Sequence, residues 1–151
     1  MRRRCGILRG FAVAVAALGV FACEQGPPEF QEAQVLGGVT VSAETLNHGR
    51  KLYLRSCASC HGYDGSGNGP AARTMNPGPR DFRNEEFLYT STPEGALPSD
   101  DDLAKTIREG RLDRGMPSWK GMHKADIDAL VQYIKTFSPR WRDSSAPAAG
   151  G

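Results

Sequence analysis

The sequence predicts one small all-α domain, three main helices with short turns between them. Three observations carry that expectation. Apolar side chains recur at three- and four-residue steps in three separate stretches, and helix-capping residues stand ahead of two of them. Between Gly62 and Pro79, by contrast, Gly and Pro are so frequent that only loop and short helical turns fit. The part expected to fold, about 100 residues, is within the range that a single core holds together.

The first helix starts at Ser42, a good N-cap, and runs to about Ser56, with Leu46, Gly49 and Tyr53 on one face. It delivers the chain straight into Cys57. The second starts at Ser99, where Asp102 three residues on completes a capping-box pattern; Leu103 and Ile107 follow, and Gly110 supplies a stop. Asp100, Asp101 and Asp102 crowd its first turn, where the helix dipole favours carboxylates, so capping is a sufficient explanation for them. The third helix spans Lys124 to Phe137. Its Ile127, Leu130, Val131, Ile134 and Phe137 form one broad apolar stripe, and Pro139 prevents continuation.

Residues 1–22 read as an export leader: Met1-Arg2-Arg3-Arg4 and Arg9, then an apolar run from Phe11 to Ala22. That run, about 12 residues, is short of the roughly 20 that a spanning helix needs. Val20-Phe21-Ala22-Cys23 resembles the bacterial lipoprotein box, with Cys23 as the lipidated new N-terminus; plain cleavage after Ala22 remains the alternative, giving a soluble periplasmic product. Lipidation is preferred because it gives the otherwise unpaired Cys23 a role. Residues 23–41, rich in Gly, Pro, Gln and Glu, read as a flexible linker reaching about 25 Å, and residues 138–151 as a disordered tail. Without the leader's four arginines, 15 basic residues face 17 acidic ones, a net charge of −2. The basic residues are dispersed, which argues against a nucleic-acid partner.

The chemistry concentrates in Cys57-Ala58-Ser59-Cys60-His61, the pattern of covalent c-type haem attachment. Each thiol adds across one haem vinyl group, and the adjacent imidazole of His61 is placed to ligate the iron from the proximal side. A thioredoxin-type dithiol would need a strand and helix alternation that does not surround Cys57. A zinc site would need further ligands nearby, and the other cysteines, Cys5 and Cys23, lie far upstream. A structural disulfide would leave His61 without a role.

From about Ser42 to Phe137 the chain resembles the class I c-type cytochromes, small helical proteins that carry one haem. The resemblance rests on the order of first helix, Cys57-x-x-Cys60-His61, loop, Arg114-Gly115-Met116-Pro117-Ser118-Trp119, and last helix. It implies the cytochrome c fold, with Gly49 and Tyr53 of the first helix facing Leu130 and Tyr133 of the last. It also implies that Met116, 55 residues after His61, is the distal iron ligand. Pro117 restricts the backbone at Met116 and so stiffens its loop. Met75 is the competing thioether, or packing on the haem edge, and Met122 reads as core. His48 and His123 would be the ligands of a two-imidazole alternative, but each reads as an ordinary helix or cap residue.

The resemblance further implies that Pro70 offers its carbonyl to the free N–H of His61. Arg73, Arg80 and Arg83 are candidates to pair with the haem propionates, against a reading as solvated surface charge. Tyr63, Phe82 and Trp119 are candidates to line the pocket. A His and Met pair holds the iron six-coordinate in both oxidation states and raises the potential relative to two imidazoles. The implied activity is single-electron transfer between exported or membrane-bound respiratory redox proteins, donor and acceptor, without substrate chemistry of its own. A haem subunit of a larger membrane redox complex is the alternative, as is a ligand-binding sensor or enzyme should Met116 not hold the iron.

Overall fold

A computed structural model of the chain describes residues 26–84, 87–88 and 90–142; the expected leader, Cys23 and residues 143–151 lie outside the described residues. A short hairpin, β1 (Gln34–Leu36) and β2 (Val39–Val41), precedes helix α1 (Ala43–Ser56), the single turn α2 (Ala58–His61), α3 (Asp100–Glu109) and α4 (Lys124–Lys135). Three 3-10 turns cover Pro70–Thr74, Leu112–Arg114 and Pro139–Trp141. The architecture is the helix-dominated cytochrome c type that the sequence predicts. No described helix is long and apolar enough to cross a membrane.

The cap chemistry sets the helix starts. The Ser42 hydroxyl accepts from the Thr45 N–H at 3.1 Å, satisfying one of the amides that the first turn of α1 leaves open. At α3 the box is reciprocal: Ser99 Oγ accepts from the Asp102 N–H at 3.1 Å, and the Asp102 carboxylate accepts from the Ser99 N–H at 3.0 Å. Ser91 adds its N–H and hydroxyl to the same carboxylate. Burial raises the pKa of Asp102, but the hydrogen bonds from Ser99 and Ser91 together outweigh it and leave the group below the usual carboxylate range. A lowered folded-state pKa gives stability that is present above the unfolded value and lost as pH falls through the folded one. Asp102→Asn is therefore expected to cost about 1 kcal/mol at neutral pH and to flatten the acid limb of a melting-temperature profile. An unchanged acid limb would show that the box carries no such linkage.

α1 and α4 cross at Gly49. A Cβ there would overlap the Ala129 carbonyl and lie 2.8 Å from Tyr133 Cβ, so the two backbones meet at a distance that a side chain forbids. Around the crossing, Leu46, Tyr53, Ile127, Leu130, Val131 and Tyr133 are fully or almost fully buried, and the rings of Tyr53 and Tyr133 lie 5.2 Å apart. α4 ends at Lys135, two residues before the expected Phe137. The Thr136 hydroxyl donates to the Tyr133 carbonyl at 2.6 Å, and Pro139 disfavours helix at the residue before it. Phe137 still packs against the core.

The flanks differ from the expected linker and tail. Gly37 and Gly38, at φ +61° and +79°, close the hairpin, whose register is Gln34↔Val41, Val35↔Thr40 and Leu36↔Val39. It is no spacer: Leu36 is 0% exposed, and Val41 is buried with it in the core. Asn47 on α1 bonds both the N–H and the carbonyl of Phe30, and Arg50 Nε donates to the Pro27 carbonyl at 2.6 Å. At the other end, Trp141 is 3% exposed and its carbonyl accepts from the Gly37 N–H at 2.6 Å. Lys135 is buried beneath it, its ammonium 5.1 Å from the Trp141 ring centre and 2.8 Å from Asp100. The apolar residues on both segments, Leu36, Val41 and Trp141, supply the burial that a free linker and tail would lack.

Candidate functional site

Cys57 is the joint between α1 and α2. Its N–H still donates to the Tyr53 carbonyl at 2.8 Å, while its own carbonyl accepts from the N–H groups of Cys60 at 3.1 Å and His61 at 2.9 Å. One helical turn therefore presents both thiols and the imidazole together, and the two thiols are not joined to each other. Burial, and then the neighbouring Cys60, push the Cys57 thiol up to about 11. Burial thus keeps the Cys57 thiol a poor redox nucleophile at neutral pH. The turn is held at its exit by the Tyr53 hydroxyl, which donates to the Gly62 carbonyl at 2.7 Å.

His61 Nδ1 lies 3.2 Å from the Arg80 carbonyl, and the ring stacks on Phe82 with centroids 4.6 Å apart. Burial lowers the pKa of His61, partly countered by that hydrogen bond, and favours neutral imidazole. A neutral ring that donates from Nδ1 keeps its lone pair on Nε2, the form a metal ligand needs. The acceptor is thus Arg80, not Pro70, which lies exposed at the start of a 3-10 turn. The reason is the path of the glycine-rich loop. The Gly67 N–H bonds the His61 carbonyl at 2.8 Å, and the Phe82 N–H bonds the Gly65 carbonyl at 2.8 Å, which folds the chain around residues 79–82 back over the imidazole.

Cys57, Cys60 and His61 open on a cavity of about 380 Å³. Tyr53 of α1, Leu103 and Ile107 of α3, Leu130 and Ile134 of α4, and Phe82 and Phe87 of the connecting segment wall it. Met116 and Trp119 line the same cavity, and so does Met75. The Met116 loop is rigidly closed: Arg111 and Met116 exchange both backbone hydrogen bonds, at 2.8 and 2.9 Å, around the turn Leu112–Arg114. It is also sewn to the end of α3, because Ser118 Oγ donates to the Arg108 carbonyl at 2.8 Å. Gly110 ends α3 at φ +70°, and a Cβ there would be 2.5 Å from the Pro117 carbonyl.

Several expected neighbours fall elsewhere. Arg80 lines the cavity, whereas Arg73 is exposed outside it and Arg83 pairs with Asp81 at 2.9 Å and Asp64 at 3.1 Å. The other arginines at the cavity are Arg111 and Arg114, which sequence reasoning missed although they stand immediately ahead of Met116. Tyr63 is exposed and outside the cavity. Met122 packs on the core without lining it. His48 bonds Asp126 of α4 at 2.6 Å and His123 precedes α4; neither lines the cavity.

The donor set suits one group. Two thiols a turn apart that are not joined to each other, a partly buried imidazole beside them, thioethers, apolar walls and arginines fit a haem c with its iron, its two vinyl groups and its two propionates. The volume is within the roughly 300–1,000 Å³ usual for cofactor sites.

Residues 44–134 match the family described as cytochrome C oxidase, cbb3-type, subunit III. Among solved structures, a chain of the Kuenenia stuttgartiensis reducing HAO-like protein complex is 32% identical, with a TM-score of 0.63 over 68% of this chain and 47% of that one. This chain thus spans about half the length of that relative. The KustC0563 c-type cytochrome is 27% identical, with a TM-score of 0.42 over 60% of this chain and 96% of that one.

Proposed function

This chain belongs to the cbb3-type subunit III cytochrome c family, with haem c bound covalently for haem-based electron transfer, and from that premise we propose that it is a single-electron carrier between exported or membrane-bound redox proteins. Haem c, when bound, supplies a one-electron Fe(III)/Fe(II) couple. Cys57 and Cys60 would fix it as thioethers, and His61 would ligate the iron through Nε2 while the Arg80 carbonyl holds Nδ1–H. Met116 would be the second ligand. Arg80 would meet the propionate carboxylates, as would Arg111 and Arg114 on exchanging the Asp113 carboxylate that they pair with at 3.0 and 3.8 Å, and the apolar walls would exclude water. A stable His and Met pair would leave no open position for substrate, so the chain would transfer electrons without chemistry of its own.

The observation that carries this reading is that one cavity is lined at once by Cys57, Cys60, His61 and Met116. Met116→Ala is expected to abolish the weak far-red sulfur-to-iron band of the oxidised protein and to admit carbon monoxide to the ferrous form. Persistence of the band in that variant would assign the ligand elsewhere. A captive role within a larger redox complex is the second reading, supported by the relative that is part of a complex and of whose chain the match covers 47%.

We place the protein in the bacterial periplasmic space, held to a membrane by a lipid on Cys23. The leader and the lipoprotein-box resemblance support this placement. Mass measurement of the mature N-terminus tests it: an unmodified Cys23 in a soluble fraction rejects the anchor.

A further inference from the structure

Met75 lines the haem cavity together with Met116, yet its side chain is directed at the loop that carries Met116. Gly115, in the left-handed conformation at φ +78°, ends the turn Leu112–Arg114 immediately before Met116. A Cβ built on Gly115 would lie 2.7 Å from the Met75 terminal methyl, and no other heavy atom outside residues 114–116 lies within 4 Å of that position. The methyl of Met75 thus occupies the space that a side chain at residue 115 would take. The loop's other ties run to α3, through Ser118 and the Trp119 N–H, so Met75 supplies support from a different part of the fold.

The far end of this contact is equally well rooted. Met75 follows the 3-10 turn Pro70–Thr74, and its N–H bonds the Ala72 carbonyl at 3.0 Å. That turn is fastened to the attachment helix by the Gly69 N–H, which donates to the Cys60 carbonyl at 3.0 Å. A continuous path of chain and backbone hydrogen bonds therefore runs from Cys60 through residues 69–75 to the Met75 methyl, which lies beside Gly115. It joins the segment that would carry the thioethers to the loop that would carry the second ligand.

We infer that Met75 is a positioning residue for Met116: it braces the ligand loop against the haem-attachment segment and so limits how readily the thioether leaves the iron. The inference rests on Met116 being the ligand. A long, unbranched thioether suits this role because it fills an irregular gap without a fixed shape. Truncation leaves a hole beside Gly115 into which the loop relaxes.

Three variants of the haem-loaded protein, Met75→Ala, Met75→Leu and Met116→Ala, decide the matter by optical spectra, carbon monoxide titration and reduction potential. Met75→Ala is expected to keep the far-red band at low temperature but lose it on mild warming, to lower the potential, and to bind carbon monoxide about tenfold more tightly in the ferrous form. Met75→Leu, with most of the bulk restored, is expected to recover the parental behaviour. If Met75→Ala matches the parent in all three measurements while Met116→Ala loses the band, the brace is refuted and the ligand assignment stands. If both Met75 variants lose the band outright while Met116→Ala keeps it, Met75 is the ligand and both readings fall.

Discussion

Gly49→Val is expected to remove about 4 kcal/mol or more of stability, at the upper end of what single substitutions do, lowering the melting temperature by roughly 15–30 °C. Overpacking an ordinary core costs about 1–3 kcal/mol, because displaced side chains find other rotamers. Here the first atom met is the Ala129 carbonyl oxygen, with Tyr133 Cβ at 2.8 Å, and neither is a flexible side-chain end. Relief requires α1 and α4 to move apart, which also opens the packing of Tyr53 on Tyr133 and alters the cavity wall formed by Tyr53, Leu130 and Ile134. Thermal unfolding of the haem-loaded protein checks this, with Gly121→Ala as control, because nothing lies within 4 Å of a Cβ at that position. A Gly49→Val protein melting within a few degrees of the parent would mean that the crossing tolerates separation.

The double variant Cys57→Ala, Cys60→Ala is expected to retain no pigment on a denaturing gel and to lose fixed tertiary structure as well. The second effect follows from size. A cavity of about 380 Å³, at roughly 24 cal/mol per Å³, corresponds to on the order of 9 kcal/mol. That figure is an upper bound, since the cavity opens to water and its walls can close in. It is nonetheless comparable with the roughly 5–15 kcal/mol that holds a domain folded. The cofactor would therefore supply a share of the packing on the cavity side of α1, α3 and α4, beyond the direct contact that these helices make in the core. Near-ultraviolet circular dichroism should flatten while far-ultraviolet helix signal partly persists. A variant with native near-ultraviolet signal and no pigment would refute the cofactor's structural share.

What was legible in the sequence was local chemistry. Ser42, the Ser99 and Asp102 pair, Gly110 and Pro139 each act within a few residues, and the helices they bound follow the expected pattern with α4 two residues short. The placement of Cys57, Cys60 and His61 on one turn is equally local. The partner of His61 was not, because its identity depends on the Phe82 to Gly65 hydrogen bond, which folds the glycine-rich loop back on itself. The same non-local path brings Arg80 to the cavity and leaves Arg73 outside it. The hairpin was in fact readable: Val35-Leu36-Gly37-Gly38-Val39-Thr40-Val41 puts two apolar runs around a Gly-Gly turn. The surrounding Gly, Pro, Gln and Glu composition masked it. The burial of Trp141 was not legible locally, since the Gly37 N–H of the hairpin and the Lys135 ammonium, both distant in sequence or on another element, hold it.

The docked N-terminal segment bears on the geometry of the membrane attachment proposed above. Arg50 already holds the Pro27 carbonyl, so a lipid on Cys23, if the protein carries one, would lie at most four peptide steps, about 14 Å fully stretched, from a fixed point of the domain. So short a mooring would confine the haem domain to a thin solvent layer against the bilayer and narrow the angles through which it could tumble. Encounters with redox partners would then become a search in two dimensions, and a partner would have to present its own redox centre close to the same surface.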